Sequence, residues 1–367
     1  MSQERVFGLD FLRALAVMLV LVAHASFLFL PLTQRLEAWW MLGHLGVELF
    51  FVLSGFLIGG ILAEQASSTR FSVGGFWTRR WLRTLPNYYL FLVLNIVIAR
   101  WTEGAWPHAA PNVVFMQNFL WTQPIFFVES WSLSVEEIFY LVAPLLLWLC
   151  RGRIASRWSP TLVVAAIVVL TGFRIAYVMI VDPDWDLSTR AVAAVRLDAI
   201  AYGVLVMLLC RRSEPLSSRV VRVIALAGTI GLAIAIALYL KLPKDTSFFA
   251  RTGLFSLISI SFAAWLPAAS TWRSSGVPDA VERAVRRVAR WSYALYLSQL
   301  TTLRVFEGLG FGNAQNFAMC LAQALLFATF AMASAAFVYR FFEAPILRWR
   351  NRWTRPEPSP TETLRSA

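Results

Sequence analysis

An arginine and a histidine share one face of the first long apolar segment. Arg13 and His24 are eleven residues apart, and eleven helical steps of ~100° return to within ~20° of the same direction after a rise of ~16 Å. Imidazole is the side chain best suited to move a proton near neutral pH. The spacing predicts a proton-transferring histidine, His24, on the same stripe as a cation, Arg13. The alternative is a histidine in a structural role.

Three arginines precede the third apolar segment, in F-W-T-R-R-W-L-R-T-L-P. On a helix, Arg79 and Arg83 lie on one face, with Arg80 beside them. Guanidinium groups bind phosphates through paired hydrogen bonds, which makes the cluster a candidate phosphate clamp. Arginines beside a membrane segment also anchor a chain at the inner membrane face, and the sequence leaves both roles open.

Two adjacent carboxylates lead into the fourth apolar segment, in W-S-L-S-V-E-E. Ser132 or Ser134 is expected to cap that helix, with Glu136 and Glu137 in its first turn, where acids suit the helix dipole. At least one carboxylate is therefore expected at the outer membrane boundary. Such a carboxylate can also orient His24 or stabilise its imidazolium. Adjacent positions point ~100° apart, so only one of the two is expected in a catalytic site.

Further ionisable residues lie inside apolar segments, where unpaired charges are costly. They are Glu48, Arg174, Arg196 and Asp198, and mutual ion pairing is the role we favour for Arg196 and Asp198. Nucleotide-binding, zinc-protease and serine-hydrolase signatures are missing from the sequence. The histidines, His24, His44 and His108, lack metal-ligand spacing. The sequence predicts no metal site and no permanently bound cofactor.

These residues belong to a chain dominated by apolar segments. Hydrophobic residues make up 58% of its 367 residues and charged residues only 15%, and the mean hydropathy is +0.62. A soluble domain carries nearer ~25% charged residues, and apolar stretches of ~20 residues are typical of membrane-spanning helices. The sequence predicts an all-α integral membrane bundle of about ten helices, over 11–30, 45–63, 85–99, 134–150, 160–180, 195–210, 221–240, 248–268, 292–308 and 317–339.

Basic residues alternate between the connecting segments. With the N-terminus in the cytoplasm, 23 of the 33 Lys and Arg residues fall in inside segments and six in outside segments. This asymmetry follows the positive-inside rule, so we expect both termini in the cytoplasm and a multi-pass protein of the inner (plasma) membrane. The net charge of +12 then reflects topology and attraction to anionic lipid, with no nucleic-acid partner. We expect one transmembrane domain over 1–355 and a short disordered cytoplasmic tail over 356–367.

Seven motifs, in order along the chain, resemble those of the acyltransferase 3 family. This family of multi-pass membrane acyltransferases acylates sugars, glycans and some secondary metabolites. The resemblance covers nearly the whole chain. The motifs are R-x10-H at Arg13 and His24, G-V-E-L-F-F-V-L-S-G-F-L-I at 46–58, R-R-W-L-R-T-L-P at 79–86, W-S-L-S-V-E-E-I-F-Y-L at 131–141, V-R-L-D-A-I-A-Y-G at 195–203, S-Y-A-L-Y-L at 292–297 and Y-R-F-F-E-A-P at 339–345.

The resemblance implies transfer of an acyl group, expected to be acetyl, from cytoplasmic acyl-CoA to a hydroxyl of a carbohydrate, glycolipid or secondary-metabolite acceptor at the membrane. It implies His24 as the catalytic base, and Arg13 with the Arg79, Arg80 and Arg83 cluster near the donor. Direct transfer and a covalent acyl-histidine are both open. One departure is Gln299, where many members have a histidine. The alternative function is a transporter or flippase of a polar or lipid-linked substrate, because intramembrane charges also mark substrate paths.

Overall fold

The computed structural model describes residues 6–33, 36–66, 72–122, 125–149, 160–211 and 216–353. Across these residues the chain is helical, with loops and turns between helices and no strand. The expected tail, 356–367, lies outside them. Nine of the basic residues counted above also lie outside the described residues: Arg5, Arg35, Arg70, Arg151, Arg153, Arg157, Arg212, Arg355 and Arg365.

The described chain forms fourteen α-helices joined by short 3-10 and π turns. They are α1 (Phe7–Ala25), α2 (Glu37–Ala66), α3 (Val73–Glu103), α4 (Ala110–Val113), α5 (Ser130–Leu149), α6 (Pro160–Val181), α7 (Leu197–Cys210), α8 (Ser218–Lys241), α9 (Phe248–Arg251), α10 (Gly253–Ala263), α11 (Leu266–Thr271), α12 (Asp279–Gly308), α13 (Phe317–Val338) and α14 (Ala344–Trp353).

In the part of the chain that the structure describes, nine segments are long and apolar enough to cross a membrane. The tenth expected span, 292–308, is the C-terminal half of α12, whose N-terminal half is strongly basic. Apolar side chains remain exposed on the outer faces of several helices, as they must where lipid replaces water as the solvent. The prediction of an all-α membrane bundle is therefore confirmed.

Helix α2 runs through the middle of the bundle between α1 and α7. Glycines allow its close crossing with α7. A methyl group on Gly55 would overlap the carbonyl oxygen of Ile200, and one on Gly203 would overlap that of Val52. Small residues at such crossings let two backbones approach within the membrane, where burial from water supplies no driving force.

Two buried ion pairs connect α2 and α6 with the start of α7. Arg174 donates to Asp198 at 2.8 Å, and Arg196 pairs with Glu48. All four side chains are almost fully inaccessible. Mutual pairing of these residues is thus confirmed, with Glu48 rather than Asp198 as the partner of Arg196. Removing one member of such a pair leaves an uncompensated buried charge, which is strongly destabilising.

Two of the helices that begin earlier than the sequence predicted, α3 and α5, carry candidate site residues. Helix α3 starts at Val73, because the Ser72 hydroxyl caps it by accepting from the Gly75 N–H at 3.1 Å, so the arginine cluster is helical. Helix α5 starts at Ser130. The expectation that Ser132 or Ser134 caps this helix is therefore wrong, since both hydroxyls bond back to carbonyls of the preceding turn.

Candidate active site

A cavity of about 430 Å³ lies between α1, α2, α3, α5 and α12. It extends from Val6 and Leu9, at the start of α1, to Ser132 and Tyr296, deep in the bundle. Its wall combines apolar side chains of α1 and α2 with a set of polar ones. The polar lining residues are Asp10, Arg13, Ser54, Arg80, Arg83, Thr84, Ser132, Glu136, Ser292, Tyr293 and Tyr296.

Three of the four predicted donor-site arginines line this cavity: Arg13, Arg80 and Arg83. They come from two helices, α1 and α3, and meet at one cavity. Arg83 is exposed over the residue as a whole, and its guanidinium has Arg13, Arg80 and Arg350 among its charged neighbours, with Glu343 as the nearby carboxylate. The cavity therefore offers a concentration of positive charge to an anionic group that enters it.

The fourth predicted residue, Arg79, does not line the cavity. Its carbonyl oxygen accepts a hydrogen bond from Arg350 of α14 at 3.4 Å. Arg350 was counted in the sequence only as one of the basic residues near the C-terminus. No local pattern links it to the cluster, because 271 residues separate the two arginines along the chain.

Asp10 balances part of this charge at the start of α1. Its carboxylate lies 3.7 Å from Arg13 and 3.5 Å from Arg286 of α12, and it is 3% exposed. Asp10 thus ties α1 to α12 at the end where both helices begin.

Glu136 faces the cavity and is held there by three groups. Ser54 donates to its Oε1 at 2.6 Å and Tyr140 donates to its Oε2 at 2.8 Å, while Arg80 lies 3.7 Å away. Arg80 also bonds to the Tyr140 hydroxyl and lies over its ring. Glu136 is therefore six residues inside α5 and engaged with the arginines, and the expectation of a first-turn position for it is wrong.

Glu137 points in a different direction, as adjacent helix positions require. Its carboxylate is buried toward α3, beside Trp81, Thr84 and Arg80, and it is absent from the cavity lining. The structure thus separates the two carboxylates: Glu136 lines the cavity and Glu137 packs between two helices.

His24 lies near the far end of α1 from the arginines. Its ring stacks on Phe27 at 6.2 Å, and Gln299 of α12 is its polar side-chain neighbour. Nδ1 of His24 and Oε1 of Gln299 are buried without a hydrogen-bond partner in the described part of the chain. A buried polar atom without a partner is costly, which makes this end of α1 a candidate site for an incoming polar group.

Helix packing gives the distance between His24 and the cavity. Gly46 of α2 packs on Ala16 and Val20, and Gly43 packs on Ala23. Of the α2 residues in the cavity wall, Val47 is the nearest to the N-terminal end of α2. It is therefore level with the Ala16–Val20 turn, and His24 lies about 10 Å further along α1. The arginines, the cavity and His24 follow one line through the bundle, with His24 beyond the inner end of the cavity.

Several polar residues of this site were quoted in motifs without being assigned a role in the site: Ser54, Tyr140, Tyr293, Tyr296 and Ser132, which was considered only as a helix cap. Single hydroxyls in apolar segments are common and give no signal of their own. The spacing of Ser132, Glu136 and Tyr140, four residues apart each time, is the feature that could have identified the cavity-facing stripe of α5.

Comparisons with known proteins agree on a class of enzyme. The peptidoglycan O-acetyltransferase OatA of Listeria monocytogenes is 26% identical over 376 residues, which cover 94% of this chain and 56% of that protein. A putative O-acetyltransferase of Staphylococcus aureus is 24% identical over 379 residues, covering 94% and 59%. The putative peptidoglycan O-acetyltransferase YrhL of Bacillus subtilis is 29% identical over 198 residues, covering 49% and 29%.

The chain spans less than three-fifths of the length of each of these relatives. No solved structure matches it. A family model also matches the chain: acyltransferase 3, whose description is "Acyltransferase domain". The match covers residues 6–340, from the start of α1 to the turn after α13. Because this match covers nearly the whole chain, the chain belongs to the acyltransferase 3 family.

Proposed function

We propose that the protein transfers an acetyl group from cytoplasmic acetyl-CoA to a hydroxyl of a glycan or related carbohydrate acceptor on the outer side of the plasma membrane. The observation that carries this proposal is the cavity. It begins among Arg13, Arg80 and Arg83 and ends within about two helical turns of His24.

The arginines suit the phosphates of coenzyme A. Guanidinium groups recognise phosphate through charge-assisted, paired hydrogen bonds. The part of the cavity beyond them would take the pantetheine arm, which would carry the thioester toward Ser132 and Tyr296. Glu136, bonded to Ser54 and Tyr140, keeps Arg80 at the wall and is a positioning residue in this scheme.

His24 is the candidate base for the acceptor. As the acceptor oxygen attacks the thioester carbon, imidazole takes the hydroxyl proton, the carbon–sulfur bond breaks, and the proton passes to the coenzyme A thiolate. Attack by the imidazole itself would give an acyl-histidine that the acceptor then resolves. Both routes need His24 within reach of the thioester, beyond the inner end of the cavity.

A carbohydrate acceptor is supported by the names of the relatives, two of which refer to peptidoglycan. The chain spans little more than half the length of the longer relatives, so the acceptor of this protein has to be measured directly. Membership in an acyltransferase family favours this function over the transporter or flippase considered from the sequence.

Acceptor-dependent release of coenzyme A thiol tests the proposal. Purified protein in lipid nanodiscs would receive acetyl-CoA with and without peptidoglycan fragments, with thiol and acetylated product both measured. His24→Ala is expected to abolish transfer, and His108→Ala, at an exposed position outside the cavity, to retain it. Near-normal transfer by His24→Ala would remove the histidine as base. Uptake of acceptor into proteoliposomes without thioester consumption would favour the transporter.

A further inference from the structure

Two hydroxyl groups close the inner end of the cavity. The Ser132 Oγ of α5 and the phenol oxygen of Tyr296 of α12 are 2.6 Å apart, and either can be the donor. Both residues line the cavity, yet Ser132 is 5% and Tyr296 7% exposed. A group that travels to the end of the cavity therefore meets this hydroxyl pair.

Tyr296 also lies between the cavity and His24. Gln299, the side-chain neighbour of His24, follows three residues later on α12, about 4.5 Å along the axis. The Gln299 amide lies 3.5 Å from the Tyr296 carbonyl oxygen, and the ring of Phe50 packs edge-on against the Tyr296 ring. Tyr296 thus lines the cavity on the side from which α12 continues toward Gln299 and His24.

The hydroxyl pair has one O–H group that can donate a hydrogen bond to a bound ligand. Its two hydroxyls carry two protons, and their mutual bond uses one of them. Among the residues that the structure describes, the acceptor for the other is the Glu129 carbonyl oxygen, 3.3 Å from Tyr296 and 3.4 Å from Ser132. Strong O–H···O bonds are shorter, about 2.7–2.8 Å. A negatively charged oxygen at the end of the cavity would be a better acceptor for this proton.

We propose that Tyr296, held by Ser132, donates a hydrogen bond to the carbonyl oxygen of the donor thioester and stabilises the negative charge that develops on it. The inference rests on the proposed function, because it takes the thioester to enter through the arginine-lined cavity. As a nucleophile adds to the thioester carbon, the carbonyl electron pair moves onto oxygen, where the Tyr296 O–H binds it. When this electron pair returns and re-forms the carbonyl double bond, the carbon–sulfur bond breaks and coenzyme A leaves as thiolate.

This role is the same whether the nucleophile is the acceptor hydroxyl or the His24 imidazole, because the same carbonyl oxygen gains charge in both. A donor that acts on developing charge lowers the energy of the transition state more than that of the bound substrate. Its loss is therefore expected in kcat, with little change in the KM for the donor.

Tyr296→Phe in the full protein is the direct test, since it removes one oxygen and keeps the ring against Phe50. We expect kcat for acetyl transfer to fall by about 10²-fold, the scale of one oxyanion donor, with the KM for acetyl-CoA within about threefold and an unchanged melting temperature. Ser132→Ala leaves the tyrosine hydroxyl present but unheld, and a smaller loss of kcat, about tenfold, is expected on the same scale.

Tyr89→Phe is the matched control. Its hydroxyl donates to the Val113 carbonyl at 2.9 Å, outside the cavity, and its removal is expected to leave kcat unchanged. A Tyr296→Phe protein with near-normal kcat would overturn the inference while the wild-type activity stands. So would a loss of kcat that tracks a lowered melting temperature, because that result indicates a structural tie between α5 and α12. A wild-type protein that consumes no acetyl-CoA would overturn the proposed function and this inference with it.

Discussion

At the scale of single residues, Arg83 carries the clearest expectation for donor binding. It is exposed, whereas Arg13 and Arg80 are partly buried. Arg83→Ala is expected to raise the KM for acetyl-CoA about tenfold with a smaller change in kcat, because a phosphate contact acts on substrate and transition state alike. The difference from wild type should narrow as ionic strength rises, since salt screens exposed charges. Steady-state kinetics at low and high salt measures both effects.

Arg79→Ala is the control for this prediction. Both changes remove an arginine from the same helix, four residues apart, but only Arg83 lines the cavity. Equal and mild effects of the two substitutions would return the cluster to the role of a membrane anchor.

The sequence identified the charged members of the site because charges in apolar segments are rare. It placed Arg13 and His24 on one stripe, and the structure has Arg13 in the cavity wall and His24 beside Gln299 of α12. It could not separate Glu136 from Glu137. That separation depends on which face of α5 meets α2 and α3, and local spacing does not contain the contacts of Glu136 with Ser54 and Arg80.

At the scale of helices, the crossing of α2 and α7 fixes one wall of the cavity. Gly203→Ala is expected to lower the melting temperature and reduce acetyl transfer, because the added methyl group meets the Val52 carbonyl and α2 must shift. The measurement is thermal unfolding in detergent together with activity.

Gly172→Ala makes the same change on α6, where a methyl group would enter open space. Alanine is also the better helix former by roughly 1 kcal/mol, so this variant is expected to be as stable as the wild type or more so. A Gly203→Ala protein that behaves like Gly172→Ala would show that the crossing tolerates a wider separation.

Hydropathy located the helices well and their ends poorly. Apolar length reports the part of a helix that lies in lipid, while α3 continues for twelve residues before the predicted start at 85. The added turns are amphipathic and capped by Ser72, and they carry the arginine cluster. The end of a helix depends on caps and on packing against other helices, and hydropathy reports neither.

At the scale of the whole molecule, the site has a direction. The arginines, the cavity and His24 follow one line from the start of α1 toward its far end. The proposed reaction requires the arginines to face the cytoplasm, where acetyl-CoA is made, and His24 to face the acceptor. The distribution of the Lys and Arg residues outside this cluster predicts the same orientation.

Labelling of single cysteines tests this orientation. Ala110 lies in α4, after three membrane-crossing helices, and Ala280 lies at the start of α12, after eight, so the two are expected on opposite sides. Both positions are exposed. In a background with Cys150, Cys210 and Cys320 replaced by serine, an impermeant maleimide should label Ala110→Cys in intact cells and Ala280→Cys only after permeabilisation. The reverse pattern would place the arginines outside, where no acetyl-CoA is available, and would contradict both the topology and the direction of transfer.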